Sequence, residues 1–121
     1  MNIETIRTIC TKLPLVTEDI KWGNDLCFLI AEKMFCVVGL SAPLQVSFKV
    51  KDEEFDELSS QQGIIPAPYV ARYKWILVKN ANVLTTKQWE YYICQSYNLV
   101  KAKLPKKALA QLDKINIKKK K

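Results

Sequence analysis

A chain of 121 residues, 49% hydrophobic and 26% charged, has the size and composition of one globular domain that buries its core without disulfides or metals. It contains no histidine, which removes the commonest general base, the commonest metal ligand and every Ser-His or Cys-His nucleophile. The net charge of +7 is lopsided: residues 1–100 carry ten Lys/Arg against eleven Asp/Glu, whereas residues 101–121 carry nine lysines against the single Asp113.

The helical period appears first at residues 3–13, where Ile3, Ile6, Ile9, Cys10 and Leu13 share a face. Asn2 is its expected N-cap and Pro14 its stop, and residues 15–19 are read as a connection. From Ile20 to Val50 the pattern changes to short apolar runs separated by Gly23-Asn24-Asp25, Glu32-Lys33 and Ser41-Ala42-Pro43. Connections this brief predict antiparallel hairpins, because a parallel crossover needs a dozen or more residues. In the last run Leu44, Val46, Phe48 and Val50 alternate with Gln45, Ser47, Lys49 and Lys51, one face buried and the other wet.

Asp52 is the expected cap of a second helix, with Glu53 and Glu54 in its first turn, Phe55 and Leu58 facing inward and Gly63 as its stop. Pro66 and Pro68 hold residues 64–68 extended. Residues 69–73 are ambiguous, and residues 74–79 read as a strand. Thr85 with Gln88 forms a capping box opening a helix whose stripe is Trp89, Tyr92, Ile93, Ser96, Leu99 and Val100, broken by Pro105. A last short helix carries Ala108, Leu109 and Leu112. The order of elements predicts an α+β fold in a single domain, residues 1–114, followed by a lysine-rich tail, residues 115–121.

The longest apolar runs, such as Cys27 to Ala31 and Met34 to Leu40, fall far short of the ~20 residues of a membrane span. The first residues lack the basic and apolar regions of a signal peptide, so a cytoplasmic location and no membrane partner are expected. Cys10, Cys27, Cys36 and Cys94 match no zinc, redox or ferredoxin spacing, which predicts reduced core thiols. No phosphate-cradling glycine motif exists, and the acidic run Asp52-Glu53-Glu54 reads as a solvated helix start. The expectation is a protein without catalytic residues, metal or cofactor.

Two segments interleave cations and aromatics, residues 69–75 and residues 96–107. Lysine and arginine supply phosphate contacts, and aromatic rings stack on bases. Trp22, Trp75 and Trp89 are read as core, whereas Tyr69, Arg72 and Lys74 flank a strand and are read as exposed. Lys118 to Lys121 suit a nucleic-acid contact and a solubilising tail equally well.

Leu13-Pro14 with Val16-Thr17-Glu18, then Gly63 to Tyr69 leading into Lys74-Trp75-Ile76, and above all Ser96 to Lys107, resemble the MmcQ/YjbR family over roughly residues 1–112. The resemblance implies a CyaY-like fold, an antiparallel sheet packed on one side by helices, and DNA binding through a double-wing arrangement of hairpins. Many members have a histidine where this chain has Lys74. The iron binding of frataxin-like relatives is not expected, because the first helix carries one acid, Glu4, opposed by Arg7 and Lys12. Charge and resemblance together predict a non-catalytic, weakly specific DNA-binding protein. Lys101, Lys103, Lys106 and Lys107 are its expected contacts, with Tyr69, Arg72 and Lys74 as a second cluster. The alternative is a protein-interaction or small-ligand module with a solubilising tail.

Overall fold

The computed structural model describes residues 1–41 and 43–111. Its elements are α1 (Ile3–Thr11), β1 (Thr17–Lys21), β2 (Asp25–Ile30), β3 (Lys33–Gly39), β4 (Gln45–Lys49), α2 (Asp52–Ser59), β5 (Ile64–Pro66), β6 (Trp75–Val78) and α3 (Thr86–Ala102). Residues 106–111 are helical again after Pro105. The strands form one six-stranded antiparallel sheet in the order β1-β2-β3-β4-β6-β5. This is the expected α+β class. Leu112, Lys114 and Lys118 to Lys121, with the expected tail boundary after residue 114, lie outside the described residues.

Register sorts the residues onto two faces. Phe28, Cys36, Phe48 and Ile76 are successive partners across β2, β3, β4 and β6, and all four are fully buried beneath the helices. Ile6 and Cys10 of α1 and Trp89, Ile93 and Tyr97 of α3 complete that core. Burying side chains of this size contributes roughly 1.5–3 kcal/mol each. The row on the opposite face is Cys27, Val37, Ser47, Leu77 and Ile65, and no helix among the described residues covers it.

Local chemistry explains the boundaries. The Asn2 side chain accepts from the Thr5 N–H at 2.9 Å, the expected cap of α1. Thr85 accepts from the Gln88 N–H at 3.1 Å while the Gln88 side chain accepts from the Thr85 N–H at 2.8 Å, which closes the capping box of α3.

Several expectations are corrected. Asp52 is the first residue of α2 and not its cap, which is Lys51; the Glu54 carboxylate accepts from the Lys51 N–H at 3.3 Å. The connection read over residues 15–19 is shorter, because β1 already starts at Thr17 and pairs with Leu29. The tight turn between β2 and β3 is Ala31-Glu32, one residue earlier than Glu32-Lys33, with φ of +47° and +68°. α2 ends at Ser59, and Gly63 serves instead as the φ +90° entry to β5, where a Cβ would meet Val83 Cγ1 at 2.9 Å. The ambiguous residues 69–73 end in a short 3-10 turn, Ala71–Tyr73.

Candidate nucleic-acid interface

Lysine 49 is the centre of the basic region, and sequence reasoning placed it on a wet strand face. It is 7% exposed. Its ammonium donates to the Tyr73 carbonyl, and its backbone N–H donates to the Ser96 hydroxyl at 2.9 Å. Burial lowers the Lys49 pKa, the positive charge of Lys103 lowers it further, Asp52 opposes the shift, and Lys74 adds to it. Lys103 caps the C-terminal end of α3 and Lys74 closes the 3-10 turn in a left-handed conformation, φ +66°. One member of each expected cluster, Lys103 and Lys74, thus acts electrostatically on Lys49.

The other expected contacts distribute around that point. Arg72 is exposed, its guanidinium 4.7 Å from the centre of the Tyr73 ring. Lys74 Nζ lies 5.0 Å from the centre of the Phe55 ring of α2. Lys101 sits on another flank of α3, 5.9 Å over the Tyr97 ring. Lys106 and Lys107 are exposed at the start of the helical residues 106–111. Tyr69 is fully exposed, with φ +70°.

Tyr97, which the sequence offers as part of a cation–aromatic segment, is structural. It is 4% exposed, its hydroxyl donates to the Pro14 carbonyl at 2.7 Å, and its ring meets Phe35 edge-on at 5.4 Å. Ser96 is equally internal, accepting from the Lys49 N–H and donating to the Phe35 carbonyl at 2.6 Å. Phe35 is the residue where the β2–β3 register shifts, so the Ser96 hydroxyl completes the β3–β4 ladder where the bulge opens it.

Trp22 corrects the expectation of three core tryptophans. Trp89 is buried, Trp75 is half-buried, and Trp22 is 70% exposed. The reason is its place in the three-residue loop between Lys21 and Asp25, where φ of +54° turns it beyond the sheet. On the face without helices Trp22, Trp75, Tyr69, Pro68, Met34 and Val37 line a groove of about 540 Å³, with Asp25 and Ser47 as polar members. Periodicity carries no sign of this groove, because its walls come from four strands and two loops distant along the chain.

The four cysteines are free, and Cys10, Cys27 and Cys36 are buried. Interaction with the Cys36 thiol and burial push the Cys10 thiol up. Among the described residues no three His, Cys, Asp or Glu side chains converge to hold a metal ion. No helix among them is long and apolar enough to cross a membrane.

A single antiparallel sheet with α1 and α3 across one face and a lysine-ringed helix end defines an α+β domain of a known structural class. The chain belongs to the YjbR family, whose model matches residues 11–99. A Deinococcus radiodurans protein of domain DUF419 has a similar structure, TM-score 0.81 at 23% identity, covering 93% of this chain and 88% of that one. A Pseudomonas syringae protein gives TM-score 0.68 at 22% identity, covering 82% of this chain and 98% of that one. Comparison with curated proteins gives no match. At these identities the solved structures support the fold and nothing finer.

Proposed function

We propose that this protein is a non-catalytic, cytoplasmic DNA-binding protein of low sequence specificity, using the basic end where α3, the 71–74 turn and the end of β4 meet. The observation that supports the reading is the gathering of cations at this end: Lys49 donates to the Tyr73 carbonyl, Arg72 and Lys74 lie on the adjoining turn, and Lys103 is the C-cap of α3. The positive charges of Lys103 and Lys74 disfavour the charged form of Lys49, and an arriving phosphate offsets that repulsion. Arg72, Lys106 and Lys107 are exposed, and the half-buried Lys101 lies on another flank of α3; these supply further phosphate contacts. Contacts of this kind position a backbone and carry little sequence information.

The test is fluorescence anisotropy with a labelled random duplex at several salt concentrations. Micromolar binding is expected, with a log–log salt slope of about −0.9 for each phosphate neutralised. Replacing Lys101, Lys103, Lys106 and Lys107 by Ala is expected to abolish it. A truncation after Ile117 that alone abolishes binding would reassign the activity to the terminal lysines. Absence of binding at low salt sinks the reading.

The second reading, a small-ligand or protein-interaction module, draws on a different observation, the aromatic groove. Occupancy of that groove by an uncharged ligand would be insensitive to salt.

A further inference from the structure

We infer that the aromatic groove seats unpaired nucleobases, so that the preferred ligand is a single-stranded nucleic acid whose phosphates meet Arg72 beside Lys49 at the groove's rim. The inference rests on the nucleic-acid reading above and adds the state of the strand.

The groove and the cation cluster share a border. Lys49 and Trp75 are register partners in β4 and β6, so their side chains leave the same face of the sheet side by side. Tyr73, whose carbonyl holds the Lys49 ammonium, carries Arg72 stacked on its ring at the same rim. A strand crossing this rim meets cations and π-faces together.

The walls suit stacking. Trp22 is 70% exposed and Tyr69 fully exposed, flat surfaces offered to solvent with no other packing role. Trp75 and Pro68 line the same groove. A duplex hides the faces of its bases in its own stack, whereas an unpaired base presents both. The volume of about 540 Å³ falls within the range of small-molecule sites.

The polar members set the orientation. Asp25 lies in the groove. Its carboxylate repels a phosphate and accepts from the N–H groups of a base edge, as Ser47 also does. Bases are therefore favoured inside and phosphates at the rim, where Lys49 and Arg72 lie. Such stacking tolerates every base, consistent with low specificity.

The experiment compares three labelled ligands of equal length on the full chain at low salt: oligo-deoxythymidine, its abasic counterpart and a duplex. The double variant Trp22→Ala, Tyr69→Gly removes two exposed rings, and glycine accepts the φ of +70° at position 69. Thermal melts confirm that the variant folds. For the natural chain, oligo-deoxythymidine is expected to bind about 5- to 150-fold more tightly than the abasic strand, quenching tryptophan emission. The variant is expected to lose that difference and keep its affinity for the abasic strand.

Equal affinity for the thymidine and abasic strands overturns the inference, as does a duplex preference. Either result leaves the backbone-binding reading standing, because binding itself persists. A variant that keeps the thymidine preference also overturns it and points to protein or small-ligand use of the groove. Failure of all three ligands to bind ends both readings.

Discussion

Ser96 ties together three parts of the molecule with one hydroxyl. It lies on α3, accepts from the N–H of Lys49 in β4 and donates to the carbonyl of Phe35 in β3. Both backbone groups lie in a dry interior, and a buried donor or acceptor left unpaired loses its full desolvation energy. Ser96→Ala is therefore expected to destabilise the protein by about 1–3 kcal/mol, read as a lower midpoint in urea unfolding with an unchanged slope. A midpoint equal to that of the natural chain would show that water replaces the hydroxyl. The same residue positions Lys49, so stability and the basic site are coupled at this point.

The hairpin between β2 and β3 is the element whose local chemistry fits least well. Ala31 and Glu32 both adopt positive φ, +47° and +68°, in a two-residue connection. That geometry is the mirror-image turn preferred by Asn-Gly, because a Cβ is crowded there. Replacing Ala31-Glu32 by Asn-Gly is expected to raise stability by about 1 kcal/mol, seen as a rise of several degrees in Tm. No change would mean that contacts of the present side chains already offset the strain. The turn also explains the one-residue error in reading this boundary: Ala and Glu carry no turn signal, whereas Lys33 begins the strand opposite Ile30.

Burial of the thiols gives a reading of the whole molecule's cooperativity. Cys10, Cys27 and Cys36 are buried on both faces of the sheet, and Cys94 is partly accessible on α3. Burial raises the pKa of Cys27 and Cys94 as well, which further slows attack on an alkylating reagent. Cys94 is expected to label first, and the other three together at the rate of global opening. Rapid labelling of Cys27 before unfolding would show that the face without helices opens on its own.

The sequence alone determined what depends on neighbours a few residues away. The caps at Asn2 and Thr85, the hairpin order from β1 to β4 and the alternation Val46, Phe48 all follow from periodicity and local hydrogen bonding. The resemblance carried by Gly63 to Tyr69 and Ser96 to Lys107 was also legible, and with it the family. Tertiary structure alone decided the rest. Lys49 alternates with apolar residues and reads as solvated, yet the Tyr73 carbonyl holds its ammonium and the Ser96 hydroxyl its N–H, from two distant segments. Trp22 reads as core and stands outside it, because a loop residue at φ +54° has no sheet to lie on. Tyr97 reads as available and is consumed by Pro14 and Phe35. The groove exists only when Trp22, Met34, Val37, Ser47 and Trp75 are folded onto one face. Local pattern specifies which face of an element turns inward, but which charges and rings then become neighbours depends on chain crossings that no local pattern encodes.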